Sequence, residues 1–98
     1  MKAVLLHRHK ITYPDGSISE LIVWKVPEDQ NYPNGVRYRL AFLPKERRTP
    51  LVLYDNHHPK GHHKHIERKE FKYIFTEIQQ LLMDFHEDVK NWREKNRQ

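Results

Sequence analysis

The sequence contains no cysteine and no long hydrophobic run. Without cysteine, disulfide frameworks, thiolate zinc sites and cysteine nucleophiles are all excluded. The longest apolar runs, Ala3–Leu6 and Leu21–Trp24, are far shorter than the ~20 residues that a membrane-spanning helix needs. The first residues, MKAVLLHRHK, hold too short an apolar block for a signal peptide. We therefore expect a soluble protein of the cytoplasm that has no membrane partner.

The length and composition indicate one small folded domain over residues 1–98. Eleven per cent of the residues are aromatic, which argues against disorder because disordered chains are depleted in aromatic residues. Lysine and arginine outnumber aspartate and glutamate by 18 to 13, so the formal net charge is +5. A basic domain of this size has a mild preference for a polyanion or for an acidic protein surface.

Hydrophobic periodicity predicts an α+β fold, a four-stranded antiparallel sheet (meander) packed against one long C-terminal helix. Tyr13–Gly16 has the composition of a tight turn, and Tyr38 is expected on the core face of its strand. The helix is expected over residues 76–95, with Thr76 as N-cap and Gln79 completing a capping box. The sheet is expected over residues 2–55, followed by a histidine-rich loop at 55–68. The predicted strands are Lys2–Thr12, Ser17–Val26, Val36–Leu43 and Leu51–Tyr54. The apolar stripe of the helix is Ile78, Leu81, Leu82, Phe85, Val89 and Trp92.

The stretch Tyr54–His65, which reads YDNHHPKGHHKH, carries five of the eight histidines of the chain. No hydrophobic period runs through it, and Pro59 and Gly61 argue against a helix, so an ordered loop or a broken strand is expected. Histidine gains and loses its proton near neutral pH, because its unperturbed pKa is ~6.5. A histidine-rich tract is also typical of an exposed loop that binds metal incidentally. Composition alone leaves both interpretations open.

Metal-independent cleavage of RNA is the reaction that this tract fits best. The attacking 2′-oxygen must lose a proton and the leaving 5′-oxygen must gain one, and two histidines can serve as that base and acid. Asp55 can orient one imidazole, and nearby cations can stabilise the charged transition state. His62 and His65 are the strongest candidates for the pair. The candidate cations are Lys60, Lys64 and Arg68.

Two other functions remain open at this point. His58, His62 and His65 have metal-ligand spacing, which would suit zinc or nickel, although four ligands are usual and only Asp55 could complete the set. The tract could instead grip phosphate or an acidic protein surface without catalysis. Arg37 and Arg39 fit a phosphate-binding stripe and a solvated strand face equally well. Because no ligand set is complete, we expect no cofactor and no dedicated metal site.

The tract also resembles a known family, the TumE-type toxins of prokaryotic toxin–antitoxin systems. The likeness spans roughly residues 2–92 and is most specific in Tyr54–Asn56 and Lys60–His65; the Asp15-Gly16 turn and the Glu20–Trp24 strand are similar too. The resemblance implies a toxin that acts on RNA and is neutralised by a helix-turn-helix antitoxin. Carried over by position, it implies a site of Asp55, Asn56, His58, His62, His63 and His65.

Taken together, the residues and the resemblance predict a toxin that is a ribonuclease, with RNA and the antitoxin as partners. A homodimer stays open, and His57 is the histidine of the tract expected to be a bystander. The expected catalytic residues are Asp55, His58, His62, His63 and His65. The expected substrate-binding residues are Asn56, Lys60, Lys64 and Arg68.

Overall fold

The computed structural model describes residues 3–96 and contains one antiparallel sheet and one helix. The six strands lie side by side in chain order. They are β1 (Val4–Thr12), β2 (Ile18–Lys25), β3 (Val36–Leu43), β4 (Val52–Asp55), β5 (His63–Ile66) and β6 (Lys69–Lys72), and the helix α1 spans Ile78–Lys95. The α+β class with an antiparallel sheet and one C-terminal helix is therefore confirmed. Within residues 3–96, no helix is both long enough and apolar enough to cross a membrane.

The first hairpin forms where the sequence predicts it. Asp15 accepts a hydrogen bond from the backbone N–H of Ser17 at 2.9 Å, and Gly16 has φ +91°, a conformation that glycine adopts without strain. The turn brings Thr12 opposite Ile18 and fixes the register of β1 on β2. Val36–Leu43 is a strand with the predicted limits. The predicted start of β1 at Lys2 falls outside the described residues.

The core lies between the helix and one face of the sheet. Tyr38, Leu40 and Phe42 point to this core from β3 and alternate with residues that point to the opposite face of the sheet. Tyr38 is buried as predicted. The predicted apolar stripe of the helix is confirmed, since Leu81, Phe85 and Val89 are buried and the rest of it packs partly buried against the core. The buried apolar residues are Leu21, Val23, Val36, Tyr38, Leu40, Ala41, Phe42, Leu51, Val52, Tyr54, Leu81, Phe85 and Val89.

The prediction of four strands, with the sheet ending at residue 55, is wrong, and so is a histidine loop that continues to residue 68. His63–Ile66 forms β5, which pairs with β4, and Lys69–Lys72 forms β6, which pairs with β5. Pro59 and Gly61 lie in the connection before β5 and do not interrupt it. Both strands were missed because backbone hydrogen bonds hold them in the sheet. Their side chains are mostly polar and show no apolar alternation that a sequence could reveal.

The helix begins at Ile78, two residues later than predicted, and the proposed capping box is wrong. Glu77 is the N-cap, in an extended conformation, and its side chain makes no capping hydrogen bond. The ring of Phe75 stacks on His62 with centroids 5.0 Å apart and on Tyr38 at 6.1 Å. This stacking anchors the segment before the helix to the sheet, so Thr76 lies in the connection.

The sheet has two unlike faces. The helix covers one of them, which we call the helix face; within the described residues nothing helical covers the other, the open face. Residues that pair directly on neighbouring strands share a face, so one row across the open face runs from Arg8 through Ile22, Arg39 and Asp55 to His63. Alternation along β5 therefore puts His63 and His65 on the open face and Lys64 on the helix face.

Candidate functional site

Arg39, Asp55 and His63 form the centre of the candidate site. They are consecutive partners across β3, β4 and β5, since Arg39 pairs with Asp55 and Asp55 pairs with His63. Neighbouring strands are ~4.8 Å apart, so the three backbone positions lie within roughly 10 Å on the open face. The sheet thus brings a guanidinium, a carboxylate and an imidazole into one row.

A backbone carbonyl orients the His63 ring. His63 Nδ1 lies 2.8 Å from the carbonyl oxygen of Gly61. A carbonyl only accepts hydrogen bonds, so Nδ1 carries the proton and Nε2 of the neutral ring keeps a lone pair. Gly61 has φ +75°, which presents this carbonyl from a turn that glycine tolerates. His63 is 8% exposed, so its ring is held in a defined orientation.

His65 lies beside His63 on the same face of β5. The two ring centroids are 5.2 Å apart, and the ring planes are nearly perpendicular at 84°. His65 Nε2 is 3.8 Å from Oε1 of Glu70, its partner on β6. The hydrogen bond from Lys60 Nζ to Glu70, 2.7 Å long, lowers the pKa of that carboxyl group and keeps it ionised. Glu70 is therefore placed to pair with a protonated His65.

His57, the expected bystander, lies close to this row. Its backbone N–H donates to Asp55 Oδ1 at 2.6 Å, which ties the turn after β4 to the carboxylate. Its Nδ1 accepts a hydrogen bond from Arg37 Nη2 at 3.3 Å. Because guanidinium groups only donate, the proton of the neutral His57 ring is on Nε2. The structure thus adds His57 and Arg37 to the surroundings of Asp55.

A cleft of about 390 Å³ opens beside these residues on the open face. Its apolar lining includes Ile22, Trp24 and Val26, which are half-buried. Its polar lining is Arg37, Arg39, Asp55 and His57. Sequence reasoning did not include Trp24 or the two arginines in the site. The alternation along β2 and β3 could have indicated them from the sequence. It puts Trp24 and Ile22 on one face of β2, and Arg37 and Arg39 on the face of β3 opposite the core.

His62 is brought to the other side of the sheet. Its Nε2 lies 2.8 Å from Asn34 Oδ1, and its Nδ1 lies 2.9 Å from the hydroxyl of Tyr38. The amide oxygen accepts the Nε2 proton, so the Tyr38 hydroxyl donates to Nδ1 and both ring nitrogens have partners. Burial of the ring between Tyr38 and Phe75, and secondarily the nearby His63, lower the pKa of His62. His62 is thus held neutral, away from the row on the open face.

Asn56 and Lys64, both predicted to bind substrate, make contacts inside the protein. Asn56 is buried; its Oδ1 accepts the backbone N–H of Tyr38 at 2.9 Å and its Nδ2 donates to the Val36 carbonyl at 2.8 Å. Lys64 forms an ion pair with Asp88 of the helix, 3.0 Å from Nζ to Oδ2. These geometries tie β4 to β3 and the sheet to the helix.

The other predicted site residues lie on exposed turns. His58 follows His57, and its backbone N–H donates to the Tyr32 hydroxyl at 3.3 Å. Lys60 pairs with Glu70, and Arg68 lies in the turn between β5 and β6. All three side chains are exposed.

No metal site of three or more histidine, aspartate or glutamate residues is assembled among residues 3–96. The set suggested by spacing, His58, His62 and His65, is divided because His62 contacts the helix face and His65 lies on the open face. Strand alternation separates residues that are close in sequence. The remaining arrangement offers acid–base and cationic groups.

Comparison with known proteins identifies the family of the chain. The family model described as Toxin TumE matches residues 2–93, which confirms the resemblance seen in the histidine tract. No curated protein and no solved structure gives a significant match. Membership in a toxin family of this kind implies the toxin half of a toxin–antitoxin system, with an antitoxin as its partner. The chain belongs to the TumE toxin family.

Proposed function

We propose that this toxin is a metal-independent endoribonuclease whose active site is formed by Arg39, Asp55, His63 and His65 on the open face. The observation that carries the proposal is the perpendicular pair His63 and His65, 5.2 Å between centroids, beside Asp55 and Arg39. Two imidazoles on one face of the sheet, that of His63 largely buried and that of His65 half-buried, can reach opposite sides of one phosphodiester.

In this reaction the two histidines move two protons. The hydrogen bond to Gly61 keeps the ring proton on His63 Nδ1, so Nε2 has a free lone pair. Nε2 accepts the proton of the ribose 2′-hydroxyl. The 2′-oxygen attacks the adjacent phosphorus, the bond to the 5′-oxygen breaks, and protonated His65 gives its proton to that oxygen. The products are a 2′,3′-cyclic phosphate and a 5′-hydroxyl end. Each proton transfer contributes ~10²–10⁴-fold to such a rate.

Arg39 supplies the positive charge that the transition state requires. The five-coordinate phosphorus carries more negative charge than the substrate, and a positioned guanidinium stabilises it through paired hydrogen bonds. Arg39 is exposed and lies directly opposite Asp55, one strand from His63. Glu70 Oε1, 3.8 Å from His65 Nε2, can hold the His65 ring in place for the transfer.

Incubation of the purified protein with single-stranded RNA in EDTA tests the proposal. The wild type should produce fragments with cyclic phosphate ends, and RNA with 2′-deoxyribose at the cleaved position should stay intact. His63→Gln and His65→Gln should each lower the rate by ~10²–10⁴-fold. His86→Gln, which changes an exposed histidine of the helix, controls for loss of a histidine as such.

If the RNA stays intact after incubation with the folded wild type, the proposed ribonuclease activity is wrong. Salt-sensitive binding of that RNA without cleavage would favour the non-catalytic binding module instead. Cleavage by the wild type that survives both glutamine variants would show a different catalytic pair. Circular dichroism of each variant separates loss of catalysis from loss of the fold.

We propose further that the antitoxin is a helix-turn-helix protein and that the free toxin acts on cytoplasmic RNA. The family resemblance and the formal charge of +5, which favours an acidic surface, support this partner. If a small helix-turn-helix gene lies beside the toxin gene, its co-expression should restore growth of cells that express the toxin. Light scattering after size-exclusion chromatography will show whether the toxin alone is a homodimer.

A further inference from the structure

The cleft on the open face offers more than catalysis of a single bond needs. Ile22, Trp24 and Val26 line it with half-buried apolar and aromatic surface, next to Arg37 and Arg39. Trp24 pairs directly with Arg37, and Ile22 pairs with Arg39, so each apolar residue has an arginine beside it on β3. An apolar lining beside cations fits a ligand that is flat and aromatic in one part and anionic in another.

A second cleft continues from the first along the open face. It has a volume of about 480 Å³ and shares Ile22 and Arg39 with the first. Arg8 and Lys10 of β1 add two more cations to its lining. The two clefts together form a basic groove, and only one acidic residue, Glu20, lines the second of them. A groove in which cations outnumber acidic residues fits the linked phosphates of a nucleic-acid strand.

The chemistry of the lining distinguishes between single-stranded and duplex RNA. Aromatic side chains stack on bases whose faces are open, whereas bases within a duplex have both faces covered by their neighbours. Therefore only an unpaired base can stack its whole face on the Trp24 ring. Recognition by stacking also tolerates all four bases, since each has a π face.

We propose that the cleft is a subsite for one unpaired nucleobase of single-stranded RNA, next to the phosphate that is cleaved. This inference rests on the proposed ribonuclease and names its substrate class. The base stacks on Trp24, and Arg37 and Arg39 bind the phosphates on either side of that nucleotide. Arg8 and Lys10 bind the phosphate backbone further along the groove. Single-stranded RNA then lies across β1, β2 and β3 with its scissile bond over β4 and β5.

Binding of a fluorescein-labelled 2′-O-methyl RNA strand, followed by anisotropy, tests the subsite without cleavage. This probe keeps bases and phosphates but lacks the hydroxyl that the reaction needs. Trp24→Ala should weaken binding by about 5- to 100-fold, because stacking on one aromatic residue has that effect. Trp24→Phe should retain most of the affinity. Phe71→Ala, which removes an exposed aromatic residue from the helix-face side of β6, is the matched control.

The arginines have a separate signature in the same experiment. Arg37→Gln and Arg39→Gln should each reduce the slope of log affinity against log salt by ~0.7, since each removes about one phosphate contact with a single strand. The Trp24→Ala variant should keep the wild-type slope. A duplex of the same sequence should bind wild type and Trp24→Ala equally.

The outcomes separate this inference from the ribonuclease itself. Trp24-dependent binding without cleavage of ordinary RNA supports the subsite and removes the ribonuclease. If wild type cleaves RNA and Trp24→Ala has the same affinity and kcat/KM as wild type, the subsite is overturned and the ribonuclease stands. If folded wild type does not bind the probe, the inference is overturned. If Trp24→Ala weakens only antitoxin binding, the cleft belongs to a protein partner and the inference is overturned as well. A thermal melt confirms the fold of each variant.

Discussion

Asp55 and His63 face each other directly across β4 and β5, on the side of the sheet that the helix leaves open. Asp55 also accepts the backbone N–H of His57 at 2.6 Å, so one carboxylate contacts the turn and lies next to the imidazole. The catalytic role proposed for the Asp55 charge and its role in the local structure can be separated by substitution, because an amide oxygen also accepts a hydrogen bond.

Asp55→Asn should reduce RNA cleavage by at least about tenfold and at most ~10⁴-fold, the loss seen when a triad carboxylate is replaced by an amide. The variant should unfold at the wild-type temperature, since the bond to His57 is kept. Asp55→Ala, which also loses that bond, should be less stable than Asp55→Asn. Single-turnover cleavage and thermal melts measure the two effects. Full activity of the folded asparagine variant would contradict a role for the charge.

Asn56→Ala should destabilise the protein without touching the row of the open face. It leaves the Tyr38 N–H and the Val36 carbonyl without their hydrogen-bond partner, and both lie in the buried core. Each such group costs about 1–3 kcal/mol of unfolding free energy. Urea denaturation measures the loss. Asn31→Ala, at an exposed position, should stay within about 0.5 kcal/mol of wild type.

The stability of the protein should fall when the pH drops below about 6.5. Burial lowers the pKa of His62 from its ordinary value of 6.5, so below that pH the unfolded chain binds the proton more readily than the folded one. Stability conferred by neutral His62 is complete above 6.5 and is lost as the pH falls through the lower folded pKa. His62→Gln should flatten this dependence in urea titrations at pH 5 to 8. Some slope remains, since partial desolvation of the His86 ring, although its side chain is exposed, also lowers the pKa of His86. An unchanged slope would show that His62 is not the group responsible.

Asp88→Ala should loosen the attachment of the helix to the sheet. Asp88 accepts hydrogen bonds from Lys64 and from the Tyr54 hydroxyl, and burial together with this contact raises the pKa of Tyr54. Hydrogen bonds to a charged group contribute about 1.5–3 kcal/mol, so a loss of that size is expected in urea denaturation. Glu87→Ala, at an exposed neighbouring position, is the control.

A double-mutant cycle of Asp88→Ala with Lys64→Met then isolates the ion pair. We expect the two losses to be less than additive, because both variants remove the same contact. Additive losses would show that Lys64 does not depend on Asp88 and would return Lys64 to the set of residues that could bind RNA.

Local pattern was sufficient for the elements with an apolar side. Val36–Leu43 alternates clearly, and the stripe from Ile78 to Trp92 recurs at helical spacing, so both were predicted and found. Residues 63–66 and 69–72 carry mostly charged and imidazole side chains, and their strands exist because their backbones complete the ladder begun by β4. A ladder that depends on a partner strand leaves little trace in its own residues.

The sequence by itself determined the chemistry that this protein has available: histidines and cations concentrated in one tract, no cysteine, and the likeness to a toxin family that the match over residues 2–93 confirms. Only the tertiary structure decided which of those histidines lie together. Pairing of β5 with β4 sends His63 and His65 to the open face with Asp55. His62, one residue before the strand, is turned to Tyr38 on the helix face. The physical reason is the two-residue period of a strand, which separates neighbours in sequence and joins residues that lie strands apart.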